Sequence, residues 1–475
     1  MDSQIVGRKK ELNILRDLLI TEKAKIVCVY GRRRIGKSFL IENAFKGENF
    51  LKFEGLEREQ TDIQIRQFTK DLANQTGDVL LGKVKNIEWV DIFDKLTEVL
   101  KNRKKKTVIL IDEFQWLAAQ KTILVSLFKK YWDQEWSKCK VIFVLCGSIS
   151  SYMVKKVIKS KALYGRIDLE INLGPLSLKE CALFLPKRSK EEILKYYLTF
   201  GGVPKYWTLI AANKSYEQNM EKIFLQKEGY LFNDYEKIFY SQFKEPKIYE
   251  AIVAILVARP LTLEEIAKKL NKKSSGSLKS YLDNLSLAGF LMSYSPFDKS
   301  ETSKLKKYKI SDEYVRYYFK FIKENQRIIK NNQINKPLFQ RIIQSKWEVW
   351  SGFAFENFCL KNAMYLASKL EFDEYVESFG PYFNRAKELD NKGTGFQIDL
   401  LFKRSDKVIT LCEVKYMQKP ITAKVISSVE EKSNRLQIPR GYVLEKVLIT
   451  VCGADEGLIQ SKYFNHILKI DDLFV

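Results

Sequence analysis

The hydrophobic positions of this chain follow two rhythms. In residues 1–210, short unbroken apolar runs alternate with stretches at helical spacing. Residues 26–30, 107–111 and 140–146 are apolar throughout and read as strands buried on both faces. Leu12, Leu15, Leu18 and Leu19 recur at helical spacing, and residues 39–45 read as the helix after the first strand. Strands alternating with helices predict an α/β domain with a parallel sheet. From residue 211 the rhythm is helical. An apolar helix at 251–257 breaks at Arg259-Pro260, and a second short helix follows at 263–270. A third spans 277–288, with Leu278, Tyr281, Leu282 and Leu285 on one face. Gly289-Phe290-Leu291-Met292 starts a strand, and 305–310 returns antiparallel. Residues 312–350, rich in Tyr, Phe and Lys, read as connecting helices whose aromatics belong to the core. A helix follows around 353–358, then strands at 396–402 and 408–416 about the turn Arg404-Ser405-Asp406-Lys407, a helix at 422–436 and a strand at 446–452. The boundaries expected are 1–210, 211–320, 321–350 and 351–475. The segment 365–395 gives no clear strand pattern.

The first run of chemistry is Gly31-Arg32-Arg33-Arg34-Ile35-Gly36-Lys37-Ser38, which fits G-x-x-x-x-G-K-[ST] between a strand and a helix. Glycines let the backbone curl so that N–H groups point at a phosphate, and the helix N-terminus adds its dipole. Lys37 would reach the β- and γ-phosphates of ATP, and the Ser38 hydroxyl would bind Mg2+. Strand 107–111 ends in Asp112-Glu113, where ligands bind in open α/β sheets. Asp112 would hold the Mg2+, and Glu113 would orient or deprotonate the attacking water. Ser148, after the strand 140–146, is either a γ-phosphate sensor or a turn residue. Arg32, Arg33 and Arg34 add positive potential at the phosphates or face solvent.

A second constellation lies near the C-terminus. Glu356 sits on a helix, Asp399 on one strand, and Glu413 and Lys415 on the next. Pairing about the 404–407 turn brings Asp399 opposite residues near 412 or 413. Glu413 and Lys415 share a face, because strand side chains alternate. Carboxylates so placed hold Mg2+ or Mn2+, which prefer oxygen ligands. Such an ion polarises a phosphodiester and activates water, and Lys415 would position the nucleophile or stabilise developing charge. A ladder of surface charges would have the same local pattern.

The phosphate loop and Ile111-Asp112-Glu113-Phe114-Gln115 resemble the prokaryotic AAA+/STAND-related ATPases often called archaeal-type ATPases. Leu163-Tyr164-Gly165-Arg166, Gly174-Pro175-Leu176-Ser177 and Gly201-Gly202-Val203-Pro204 match as well, and the resemblance covers roughly residues 1–210. It implies that an arginine after the sensor strand stabilises γ-phosphate charge, with Arg166 the candidate; a surface salt bridge is the competing role. The order helix–helix–helix–hairpin resembles a winged helix-turn-helix, a DNA reader or a module that responds to nucleotide. Residues 350–475 resemble the PD-(D/E)XK nuclease superfamily, with Glu356 as the extra helix acid. The implied fold class is α/β: a P-loop NTPase parallel sheet, a helical winged helix-turn-helix middle domain and a C-terminal restriction-endonuclease-like α/β domain.

Composition narrows the partners. Net charge is +23 over 475 residues, which favours an anionic partner, DNA before others. The seven cysteines form no C-x-x-C pair and His466 is the only histidine, so zinc is not expected. A reducing cytoplasm fits. No apolar run approaches the ~20 residues of a membrane span, so no membrane partner is expected. A homo-oligomer through the ATPase domain is compatible with the resemblance. The expected function is an ATPase that controls a metal-dependent DNA nuclease, perhaps in defence or mobile-element biology. The alternative is a nucleotide-dependent switch or scaffold whose C-terminal domain only binds DNA or a partner protein.

Overall fold

The computed structural model describes residues 5–78, 81, 87–118, 123–148, 152–243, 245–295, 303–332, 337–384 and 396–474. The turn expected at 393–395 and part of the hairpin loop lie outside them. The chain divides into two compact units: residues 1–176, 203–205 and 242–244 in the first, and 177–202, 206–241 and 245–475 in the second.

The first unit holds a five-stranded sheet of β1 (Lys25–Tyr30), β2 (Asn49–Glu54), β3 (Thr107–Asp112), β4 (Val141–Gly147) and β5 (Leu169–Asn172). The order is β2-β3-β4-β1-β5, and all neighbours are parallel. β3 and β4 are buried along their whole length, which is why their sequences are apolar without alternation. β1 has β4 on one side and β5 on the other, so the chain reverses its direction of travel across the sheet at the end of β1. Such a switch point opens a crevice at the carboxyl ends of the strands.

One side of the sheet is filled by an aromatic cluster. Trp136 lies 4.7 Å from Phe143 and 5.0 Å from Phe93, ring to ring, and its indole N–H donates to Thr97 Oγ1 at 2.8 Å. The helix Trp89–Lys101 that supplies Phe93 starts on a reciprocal cap between Glu88 and Asp91.

In the second unit, helices at Pro246–Leu256, Leu263–Lys269 and Gly276–Leu287 precede a three-stranded antiparallel sheet. It consists of β6 (Leu261–Thr262), β7 (Leu291–Tyr294) and β8 (Lys307–Ile310), in the order β6-β8-β7. Thr262 caps the second helix with Glu265 in return, and Ser275 caps the third. A short helix, Glu313–Tyr317, leads through further helical turns to the long helix Ser345–Lys361.

The last sheet is mixed. It contains β9 (Val376–Asn384), β10 (Phe396–Arg404), β11 (Val408–Lys415), β12 (Val443–Thr450) and β13 (His466–Leu468), in the order β13-β12-β11-β10-β9. β9, β10 and β11 run antiparallel in turn. β12 and β13 pair parallel, after a crossover through the helix Val425–Arg435. Val425 and Val429 of that helix bury against Ile398, Leu401, Ile409 and Leu411, while the helix Ser345–Lys361 also meets β10 and β11. Among the described residues no helix is long and apolar enough to cross a membrane.

The loop after β1 has almost no room for change. A Cβ on Gly31 would run into the carbonyl oxygen of Leu173. We expect Gly31→Ala to destabilise the first unit by about 1–3 kcal/mol, the usual cost of overpacking. Urea unfolding of the purified protein checks this.

Candidate functional sites

The phosphate loop spans residues 31–38 and delivers the chain into the helix Lys37–Ala44. Arg34 at φ 71° and Gly36 at φ 87° both adopt left-handed backbone, which turns successive N–H groups toward one concavity. Lys37 is buried. Its ammonium donates to the Gly31 carbonyl at 3.2 Å and the Arg32 carbonyl at 3.3 Å, so it spans the inside of the loop. Ile35 and Arg32 are also buried, while Arg33 is partly exposed and pairs with Glu57 at 3.5 Å.

The Ser38 hydroxyl donates directly to Asp112 Oδ2. β1 and β3 are separated by β4, yet their ends place this hydroxyl and this carboxylate in contact. The pair is all oxygen and suits a hard divalent cation such as Mg2+. Asp112 Oδ1 accepts the backbone N–H of Glu113 at 2.9 Å.

Glu113 is the strained residue of the site, with φ 47°. A non-glycine residue stays in that region only when its surroundings hold it there. Its Oε2 accepts the Ser148 hydroxyl at 2.7 Å and the Gln115 amide. Gln115 also donates to Ser148 Oγ at 3.3 Å. From the β2 side, a Cβ on Gly55 would come within 2.5 Å of the Glu113 carbonyl oxygen. Ser148 therefore reaches the acid that would orient water.

Arg166 is not gathered with these groups. Its guanidinium forks onto Asp133, with Nε to Oδ1 at 2.7 Å and Nη2 to Oδ2 at 2.9 Å. Sequence reasoning missed Arg8 and Gln115. Arg8 is buried at φ 59° and donates to the Gly174 carbonyl at 2.6 Å and to the Ile35 carbonyl of the phosphate loop at 3.5 Å. The only local signal is its place in Val6-Gly7-Arg8, with Glu11 three residues on; the two form an ion pair at 3.2 Å.

The second site lies in the second unit. In the β10–β11 ladder Leu400 faces Cys412, so the next position puts Asp399 opposite Glu413. The register of β10 against β9 shifts between Ile398 and Leu401, a bulge of the kind that re-aims side chains beside active sites. Asp399 Oδ2 accepts the Val414 N–H at 3.1 Å. Glu413 is fully buried, with Lys415 Nζ at 2.7 Å from one oxygen and Lys432 Nζ at 2.6 Å from the other. Lys432, on the helix Val425–Arg435, was not anticipated; a lysine on an amphipathic helix carries no distinguishing local pattern.

Burial raises the pKa of Asp399 above the carboxylate range, and the neighbouring Glu413 adds to it. Burial, then Asp399, pushes Glu356 up to about 7, while Lys309, Lys415 and Arg316 pull it back. Burial works against the Lys415 ammonium, but Glu413 beside it leaves its pKa raised. The four residues expected to act together are thus one electrostatic cluster. They do not form a metal cage: among the described residues no three of His, Cys, Asp or Glu are gathered closely enough to hold an ion. The Glu413 oxygens face lysines instead.

Residues 5–210 match a family described as an ATPase domain predominantly from Archaea. Residues 5–210 carry an archaeal-type ATPase domain. Residues 318–432 match a family described as archaeal and bacterial proteins of unknown function, a span that includes Glu356, Asp399, Glu413, Lys415 and Lys432. An uncharacterized protein of Methanocaldococcus jannaschii is 26% identical over 387 residues, covering 81% of this chain and 83% of its own. A second uncharacterized protein of that organism is 39% identical over 73 residues, 14% of this chain and 69% of its own. Among solved structures, the Walker-type ATPase of Pyrococcus abyssi superposes with a TM-score of 0.51 at 17% identity, covering 66% of this chain and 95% of that one. That likeness is one of fold.

A raised acid pKa means the folded state holds its proton more tightly than the unfolded chain does. The stabilisation from Glu356 is therefore present below the ordinary carboxylate pKa and is lost as pH rises through about 7. With EDTA present, Glu356→Gln should raise Tm at pH 8 by about 2–4 °C, the shift for roughly 1 kcal/mol in a chain of this size. At pH 5, where Glu356 is already protonated, it should leave Tm unchanged. Scanning calorimetry at both pH values checks this, and an equal effect at both would show the charge to be immaterial.

Proposed function

We propose that this protein binds and hydrolyses ATP in its first unit and uses the nucleotide state to control a metal-dependent nuclease acting on DNA. The observation that carries the ATPase half is the contact of Ser38 with Asp112, beside a Glu113 oriented by Ser148 and Gln115. Lys37 withdraws from the loop carbonyls to meet the β- and γ-phosphates. Ser38 and Asp112 hold Mg2+, which neutralises phosphate charge. Glu113 fixes the attacking water. Arg166 is placed to serve a γ-phosphate only after leaving Asp133, and a neighbouring subunit of a homo-oligomer is one route to that.

The nuclease half rests on the cluster of Glu356, Asp399, Glu413 and Lys415. Asp399 and Glu413 are the residues to hold Mg2+ or Mn2+, which would polarise the scissile phosphate; Glu356 and Lys415 position groups around it. Control has a physical handle here, because Glu413 must be freed from Lys432 before its oxygens can serve a cation. The helices and the β6–β8 sheet are read as a winged helix that contacts DNA or transmits the nucleotide state, and the net charge of +23 favours DNA as the partner. The same lysine pairing supports a second reading. A carboxylate already neutralised at 2.6 and 2.7 Å suits a domain that binds nucleic acid or a partner protein without cutting, in a nucleotide-dependent switch.

The deciding experiment incubates the protein with plasmid and linear DNA, Mg2+ or Mn2+, with and without ATP. Lys37→Ala should abolish ATP binding. Glu113→Gln should keep binding and slow hydrolysis by about 10²-fold or more, the scale of a lost general base. Glu413→Gln should abolish cutting while ATP hydrolysis continues. ATP hydrolysis with no cutting under any condition would establish the switch reading.

A further inference from the structure

The C-terminal acids do not stand alone in their unit. The strand β8 alternates, with Tyr308 and Ile310 buried and Lys307 and Lys309 on the other face. That face is turned toward the last sheet: Lys307 Nζ sits 4.7 Å above the Phe383 ring of β9. At the end of β7, a Cβ on Gly380 would lie 3.7 Å from the Ser295 carbonyl and 3.9 Å from Tyr294 Cβ. The helix Glu313–Tyr317, just after β8, is tied along the helix Ser345–Lys361 at two points. Arg316 Nη2 donates to the Phe353 carbonyl at 3.1 Å, and Lys361 Nζ meets Glu313 Oε1 at 2.8 Å. Glu356 lies between those ties.

Lys309 and Arg316 thereby enter the field of Glu356 and Asp399. They do so at a cost. Lys309 is pushed down to about 8 by burial and by the Arg316 charge, and burial brings Arg316 down to about 10. Among the described residues neither cation has a carboxylate within ion-pair reach, whereas Lys415 and Lys432 are both spent on Glu413. Two desolvated like charges held together without a counter-ion are unfavourable, and an anion between them removes the cost. A doubly charged free phosphate would be repelled by the acids alongside. A phosphodiester, with one charge, suits the site better. One turn before Glu356 on the same helix face, Phe353 is 59% exposed, a ring available for an unpaired base.

We propose that Lys309 of the hairpin and Arg316 of the following helix form a phosphodiester-binding subsite beside Glu356, with Phe353 stacking the adjacent base, so that the ligand is a single strand or frayed end of nucleic acid. The subsite deepens the nuclease reading and rests on it for its reaction, but its binding can be measured without any cutting.

Fluorescence anisotropy with the full-length protein and Ca2+ tests it, using a labelled 20-nucleotide single strand and the blunt duplex of the same sequence. Lys309→Gln should weaken single-strand binding about tenfold and lower the salt slope by about 0.7, the value of one phosphate contact on a single strand. Lys309→Arg should restore both. Phe353→Ala should weaken the single strand more than the duplex. Tm should hold or rise in Lys309→Gln, because a repelling cation is removed. Unchanged affinity and salt slope in Lys309→Gln would overturn the subsite, as would a fall in Tm with binding intact, which marks a structural cation. Competition by inorganic phosphate or ATP as strong as by unlabelled strand would assign the site to a free phosphate and overturn the nucleic-acid ligand. A wild-type protein that never cuts, yet loses strand affinity in Lys309→Gln, would keep the subsite and remove the nuclease.

Discussion

A carboxylate at the end of a buried strand is tolerable only when hydrogen-bond donors or cations meet it, and both halves of this chain are organised by that constraint. In the first unit β3 ends in Asp112 and Glu113, and the donors come from three other places. Ser38 arrives from the loop after β1, Ser148 from the end of β4, and Gln115 from the turn that follows the acids. Their convergence depends on the strand order, because β4 intervenes between β1 and β3. The glycines act in the same arrangement. Gly31 leaves space for the Leu173 carbonyl, and Gly55 for that of Glu113.

The second unit meets the same constraint differently. Glu413 is more deeply buried than Asp112 and is met by full charges, Lys415 from its own strand and Lys432 from the crossover helix. Hydroxyl and amide donors leave a carboxylate able to exchange partners at small cost. Two lysine ion pairs hold it more firmly, since separating a buried pair strands both charges. The two sites therefore differ in readiness: the first exchanges hydrogen bonds for a ligand, and the second must break ion pairs first. A change in nucleotide state can act on the second site only by favouring the arrangement in which those pairs are open.

Legibility followed sequence distance. The phosphate loop and the Asp112-Glu113 step are contiguous and were readable, as were the helices and the hairpin strands of the second unit. Glu413 and Lys415 were readable because two-residue spacing on a strand dictates a shared face. Asp399 could be placed near Glu413 because a short turn joins their strands. Arg8, Lys432 and Lys309 were not readable, since each reaches its site from an element that local pattern does not connect to it. Arg8 belongs to the turn before the first helix and supports a loop 27 residues later. Lys309 lies ahead of the long helix and of three masking neighbours in charge, Lys304, Lys306 and Lys307, so nothing in the sequence marks it off from an ordinary basic hairpin.

What the sequence by itself determined is the set of elements and the chemistry carried at their ends. Apolar periodicity specifies strand or helix locally, and a phosphate loop or an acid–x–lysine step needs only neighbouring residues. The tertiary structure alone decided which ends meet. The order β2-β3-β4-β1-β5, the bulge in β10, the fork of Arg166 on Asp133 and the approach of β8 to the last sheet are products of non-local burial. Side chains far apart in the chain become neighbours only when the apolar faces of their elements are covered together, and no local pattern records that pairing.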